Sequence, residues 1–158
     1  MDAHVVWQQG LSFTGTANSG FSVPLGGKSP AGGDGDGFRP MELLLTGLAG
    51  CTAMDVVSVL EKKRQEITAL EVKAHAERAA EHPRVFTSAA IEYIVCGHEV
   101  DEDAVIRAIE LSTLRYCPAH AMFRQIFSIT IKYMIYEDQG EGNKKLVKEG
   151  EYVATVVS

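Results

Sequence analysis

The stretch PMELLLTGLAGCTAMDVV, residues 40–57, decides the fold of this chain. Pro40 suits the first turn of a helix, and no proline follows between Met41 and Lys63. The apolar side chains cover most of the helical circumference, which is typical of a helix buried on several sides. The pattern therefore predicts a central helix from Met41 to about Lys63.

A cysteine lies among small residues in the middle of this helix. Gly47 and Gly50 each cost about 1 kcal/mol relative to alanine, so we expect a packing or functional reason for them. We predict that they make room beside Cys51 for another segment, the turn around Cys117. Asp55 lies one helical turn beyond Cys51, where its carboxylate would oppose a thiolate. Two thiols brought together favour redox exchange. The alternative is that Cys51 has no chemical role and is buried as a small apolar side chain.

The sequence predicts strands and further helices on both sides of the central helix. In chain order these are a three-stranded meander (4–8, 11–17 and 20–25), a glycine-rich loop (29–37), a hairpin (68–79 and 86–95), a helix from Asp101 to about Arg115, a short helix (118 to about 126), a strand through Ile129–Ile135 and a terminal strand. The hairpin turns around Pro83.

Composition limits the class of protein. The 158 residues are 46% hydrophobic, which is enough for a single domain spanning 1–158. The net charge of −6 argues against nucleic acid as a partner, because phosphate binding needs a basic surface. The first ten residues lack the pattern of a secretory signal, and the longest apolar stretch contains Glu42 and Asp55, so we expect a soluble cytoplasmic protein with no membrane contact.

Three cysteines are too few for a secreted disulfide framework, so each needs its own interpretation. Cys117 precedes Pro118 as the cap of the short helix, where the helix N-terminus would lower its pKa; an imperfect cap is the alternative. Cys96 is predicted to pack in the core. Cys117 and His120 have a metal-ligand spacing, but zinc needs three or four protein ligands, so we predict no metal site and no cofactor.

The run PMELLLTGLAGCTAMDVV, the later YCPAHAMF and the order of elements between them resemble the OsmC/Ohr family of organic hydroperoxide reductases. The resemblance covers about residues 4 to 136. It implies an α+β, OsmC-like fold with antiparallel sheets around a long central helix, assembled as an intertwined homodimer. It also implies an organic hydroperoxide as substrate and an external dithiol as reductant.

The resemblance assigns site residues by motif. Cys51 matches the thiol that attacks the peroxide, and Cys117 matches the thiol that resolves the resulting sulfenic acid. Glu42 and Arg39 are further candidates because they begin the same helix, although Met41 stands where well-studied branches of the family have a glutamate. The alternative function is a non-catalytic binding or stress-response protein that keeps the fold and the cysteines.

Overall fold

Three short strands form the first sheet. A computed structural model describes residues 1–27 and 35–153 of the chain. In it, strands β1 (Ala3–Gln9), β2 (Ser12–Ala17) and β3 (Ser22–Leu25) pair antiparallel in the order β1-β2-β3. The predicted meander is therefore confirmed. Residues 29–34 of the predicted glycine-rich loop lie outside the described residues.

The chain divides into two compact units, Met1–Leu44 and Leu45–Ser158. The first unit contains the three-stranded sheet and the start of the long helix, and the second contains the rest of that helix and a four-stranded sheet. The prediction that residues 1–158 form one domain stays a prediction.

The long helix α1 spans Pro40–Lys62 and begins at the proline, as the sequence predicted. Its side chains in the core share one face: Leu48, Thr52, Val56, Val59 and Leu60. The rest of its surface is more open, since Met54 is 76% exposed. Among the described residues α1 is the helix that is long and apolar enough to cross a membrane by length and composition. Its buried face identifies it as a core helix of the second unit.

Four strands form the second sheet in the order β4 (Glu66–Arg78), β5 (Phe86–His98), β6 (Ser128–Asp138) and β7 (Lys144–Tyr152). The β4–β5 hairpin is confirmed, and both strands are longer than predicted. The expectation of antiparallel sheets is wrong for one pair, because β5 and β6 run parallel. Parallel neighbours need a long crossover connection, and the helical segment between these two strands provides it.

That connection contains two helices joined by an irregular turn. Helix α2 (Glu102–Leu111) is capped by Asp101, whose side chain accepts a hydrogen bond from the backbone N–H of Asp103. A π-helical turn, Ser112–Tyr116, then leads to the short helix α3 (Pro118–Phe123). Thus the α-helix ends before the predicted Arg115.

The core of the second unit lies between the sheet and helices α1 and α2. Its fully buried side chains include Leu60 from α1, Ile91 and Tyr93 from β5, and Val105 and Ile109 from α2. Alternation along β5 explains why its residues with aromatic and branched side chains face this core. The same packing fixes α1 and the segment after α2 next to each other, which positions the candidate site.

Candidate functional site

Two thiols and a carboxylate meet where α1 passes the start of α3. The ligand atoms of Cys51, Asp55 and Cys117 all lie within 4.8 Å of one another, and we call these three residues the thiol cluster. Cys51 and Asp55 are one turn apart on α1, so their side chains lie on the same helical face. Cys117 arrives from 66 residues later in the chain. The sequence prediction that Cys51 and Cys117 come together is consistent with this geometry.

The turn before α3 places Cys117 in the cluster. The backbone N–H of Cys117 donates to the carbonyl of Ser112 at 2.9 Å, which closes the π-helical turn. Cys117 then serves as the N-cap of α3, and its Sγ accepts a hydrogen bond from the backbone N–H of His120 at 3.3 Å. Pro118 occupies the first helical position, where its missing N–H costs nothing. The predicted cap is therefore confirmed.

The predicted electrostatic effect on Cys117 is wrong. Burial raises the pKa of the Cys117 thiol to about 12, and the neighbouring Cys51 and Asp55 act in the same direction. The hydrogen bond from His120 lowers this pKa but does not outweigh them. Since Cys117 is only 2% exposed, its thiolate would lose hydration that one N–H group cannot replace. Cys117 therefore stays a thiol near neutral pH.

A chain of hydroxyl groups supports Asp55 from the interior. The Ser112 hydroxyl donates to Asp55 Oδ2 at 3.0 Å and also lies 2.8 Å from Thr52 Oγ1. Thr52 is in turn hydrogen-bonded to the hydroxyl of Tyr93. Because each hydroxyl has one proton, the donors run from Tyr93 through Thr52 and Ser112 to the carboxylate. This chain orients Asp55 toward the thiols.

Sequence reasoning missed the three hydroxyl residues of this chain. The available signal was Thr52, a polar side chain on the buried face of an apolar helix, which needs a hydrogen-bond partner. The partners Ser112 and Tyr93 are distant in sequence from Thr52, and nothing in their local patterns marks them.

The proposed role of the two glycines is also wrong for the described residues. A Cβ atom added at Gly47 or Gly50 would meet no atom within 4 Å in residues 1–27 and 35–153. The turn around Cys117 therefore does not pack over them. It reaches Cys51 from the face of α1 that carries Thr52 and Asp55, so the close approach depends on hydrogen bonds rather than on missing side chains.

Arg39 and Glu42 lie in the first unit and interact with each other. Their side chains form an ion pair, and the backbone N–H of Arg39 donates to Glu42 Oε2 at 3.0 Å. A glutamate that reaches back to the residue before the first helical turn stabilises a helix start. This contact gives both residues a local role in α1, and their part in thiol chemistry stays a prediction.

Cys96 and four of the histidines lie where the sequence predicted, and the structure adds that His120 is buried. Cys96 is buried in β5, opposite Ala69 and Tyr136, as expected of a core residue. The histidines predicted to be superficial are exposed: His4, His75, His82 and His98. His120 is buried, and its Nδ1 has no hydrogen-bond partner in the part of the chain that the structure describes. Its ring is not part of the thiol cluster.

Known proteins are similar to this chain in sequence and in fold. Residues 33–132 match the family described as OsmC-like protein. Protein YhfA of Escherichia coli strain K12 is 40% identical over 135 residues, which are 85% of this chain and 98% of YhfA.

Two solved structures extend the comparison. A hypothetical protein from Aquifex aeolicus is 27% identical to this chain and superposes with a TM-score of 0.77. The match covers 87% of this chain and 97% of the Aquifex chain. The organic hydroperoxide resistance protein OhrB of Bacillus subtilis is 16% identical with a TM-score of 0.58, covering 84% and 98%, and shows the shared fold. With a family match over most of its length and a relative at 40% identity, the chain belongs to the OsmC-like protein family.

Proposed function

We propose that the protein is a thiol-dependent peroxidase that reduces organic hydroperoxides. The observation that supports this proposal is the thiol cluster, in which Cys51 and Cys117 lie within disulfide-forming reach after a small shift. The family includes proteins named for organic hydroperoxide resistance, such as OhrB.

The reaction uses the two thiols in sequence. The Cys51 thiolate attacks the distal oxygen of the hydroperoxide, the O–O bond breaks, and the alkoxide leaves as an alcohol after taking up one proton. Cys51 becomes a sulfenic acid. The Cys117 sulfur then attacks the Cys51 sulfur, a disulfide forms, and the hydroxyl leaves as water with the Cys117 proton. An external dithiol reduces the disulfide and is itself oxidised to a disulfide, which restores both thiols.

Cys51 is assigned the attacking role because it is the more accessible of the two. It is half-buried, whereas Cys117 is 2% exposed and has a raised pKa. A buried thiol that stays protonated is poorly suited to meet a substrate first, but it can attack a sulfenic acid already beside it. Attack by Cys51 followed by resolution by Cys117 agrees with the exposure of the two sulfurs. It reverses the expectation from helix capping, in which Cys117 is the more reactive thiol.

One equivalent of cumene hydroperoxide should convert the reduced protein into a form with an intramolecular Cys51–Cys117 disulfide. Peptide mapping without reductant detects the bridge between the peptide from α1 and the peptide that contains the start of α3. In the Cys117→Ser variant, a sulfenic acid should persist at Cys51 and react with a dimedone probe. A bridge to Cys96, or a modified Cys117 in the wild type with Cys51 untouched, would contradict the proposed pair.

A second function, a non-catalytic binding or stress-response protein, is favoured by one observation. The ionisable groups that act on Cys117 are Cys51 and Asp55, both acidic, and both disfavour a thiolate there. A site of this kind can hold thiols without activating them. If the protein with a dithiol consumes no cumene hydroperoxide above the buffer rate, this second function replaces the first.

The protein should form a homodimer in solution. Large apolar side chains are exposed in both units, including Trp7 (63%) and Phe21 (82%) in the first and Met54 in the second. Burial of such side chains favours association, and a second copy is the partner that the family resemblance implies. Sedimentation velocity at micromolar concentration should give the mass of two chains. A single-chain mass at that concentration would refute the dimer. We expect this dimer in the reducing cytoplasm, where a dithiol is available.

A further inference from the structure

We propose that the thiol cluster binds a divalent metal ion of the zinc class, with Cys51, Asp55 and Cys117 as its three protein ligands. We predicted no metal site from the sequence because Cys117 and His120 supply only two ligands, both from one helical turn. The structure offers a different set, two sulfurs and a carboxylate oxygen contributed by α1 and by the N-cap residue of α3. The inference rests on this ligand set and does not depend on the proposed peroxidase activity.

The spacing of the ligand atoms is close to that of a tetrahedral site. An ion with metal–sulfur bonds of about 2.3 Å separates its two sulfurs by about 3.8 Å, and a carboxylate oxygen lies slightly closer. All three atoms of the cluster are within 4.8 Å of one another, so each separation needs to shorten by no more than about 1.3 Å. Rotation about the side-chain bonds of Cys51 and Asp55, both only half-buried, can supply that shift.

The charge of the cluster also suits a cation. All three groups become anionic when they lose a proton. Two thiolates with one carboxylate form a donor set that a borderline ion such as Zn²⁺ prefers to the harder Mg²⁺ and Ca²⁺. With three protein ligands, the fourth position of the tetrahedron remains for water or another small ligand.

A hydrogen-bonded second layer around a ligand is an independent feature of protein metal sites, and Asp55 has one. The Ser112 hydroxyl donates to Oδ2 of Asp55, and Thr52 and Tyr93 extend the chain into the core. Such outer partners fix the orientation of a ligating carboxylate. A carboxylate accepts several contacts, so the bond from Ser112 leaves acceptor capacity for an ion.

Metal binding and the disulfide exclude each other, because both use the same two sulfurs. Oxidation of Cys51 and Cys117 to a disulfide would remove two of the three ligands and release the ion. A bound ion would in turn cover both thiols. The reduced, metal-bound form and the oxidised, metal-free form are therefore alternative states of one site.

Titration of the chelator-stripped, phosphine-reduced protein with Co²⁺ tests the site without any hydroperoxide. We expect one Co²⁺ per chain, a thiolate-to-cobalt charge-transfer band in the near ultraviolet, and displacement of Co²⁺ by Zn²⁺. The Cys51→Ser and Cys117→Ser variants should each lose most of the band. Asp55→Asn, which keeps an oxygen to accept from Ser112, should bind at least about tenfold more weakly.

Matched controls separate the site from general metal binding. Cys96→Ser changes a cysteine outside the cluster, and Glu61→Gln changes an exposed acid on α1, the helix that carries Cys51 and Asp55. Both variants should bind Co²⁺ as the wild type does. Circular dichroism checks that each variant is folded, and Cys51→Ser at a half-buried position remains informative if Cys117→Ser unfolds.

Three results would overturn the inference. These are the absence of a stoichiometric charge-transfer band, an unchanged affinity in Asp55→Asn, and an equal loss in a control variant. A protein that binds Co²⁺ in this way but reduces no hydroperoxide would sustain the metal site and refute only the peroxidase.

Discussion

Replacing Cys51 by serine should lower the turnover of cumene hydroperoxide with a dithiol by at least about 10³-fold, since a serine hydroxyl at this position cannot form the anion that attacks the O–O bond. Cys51 is the accessible sulfur of the thiol cluster, and the buried Cys117 does not replace it in a first attack. The initial rate of hydroperoxide loss, measured at several protein concentrations, gives the effect directly.

Two further variants separate attack from resolution. Cys117→Ser should reduce about one equivalent of hydroperoxide per chain in a rapid burst and then turn over far more slowly than the wild type, because the Cys51 sulfenic acid has no neighbouring thiol and only the external dithiol can reduce it. Cys96→Ala should keep turnover within a factor of about two, since Cys96 packs in β5 outside the cluster. If Cys51→Ser kept a tenth of the activity, or Cys96→Ala abolished it with the fold intact, the assignment of the cysteines would be wrong.

Replacing Tyr93 by alanine should lower the free energy of unfolding by about 3–5 kcal/mol, the range for removing a large buried aromatic side chain. Tyr93 is fully buried at the centre of the core of the second unit, and its hydroxyl is the first donor of the chain that ends at Asp55. The substitution opens a cavity between α1 and the sheet and also removes the donor to Thr52. Equilibrium urea unfolding under reducing conditions, at a fixed protein concentration, measures the loss.

A milder substitution at Tyr93 separates the loss of the hydroxyl from the loss of the ring, and an exposed residue serves as a control. Tyr93→Phe removes only the hydroxyl and should cost about 1–2 kcal/mol, because Thr52 keeps its contact with Ser112. His75→Ala on the adjacent strand β4 changes an exposed side chain and should stay within about 0.5 kcal/mol of the wild type. A loss below about 1 kcal/mol for Tyr93→Ala would show that the core does not depend on this residue.

Most regular elements were predictable because their signals are local. Pro40 and the long apolar run predict α1 to within one residue at each end, and Asp101 predicts the start of α2. The position of Cys117 as a cap follows from the proline after it. Each of these signals acts through the backbone of a few neighbouring residues, so the amino-acid order alone is enough to show it.

The parallel pairing of β5 and β6 was not predictable in this way. Strand order depends on where the crossover containing α2 and α3 returns to the sheet, and neither strand's own sequence carries that information. The antiparallel arrangement that the resemblance implied therefore fails at this pair, whose strands are connected by a crossover and not by a turn.

The sequence by itself determined the α+β class, the long helix with Cys51, the capping position of Cys117 and, through its motifs, the resemblance to the OsmC-like family. Only the tertiary structure decided the environment of the thiols. Burial reversed the expected direction of the Cys117 pKa, and packing between α1 and the segment after α2 assembled Asp55 with its hydroxyl partners. The physical reason is that desolvation and long-range hydrogen bonds depend on which residues the fold brings together, and these residues are more than 40 positions apart along the chain.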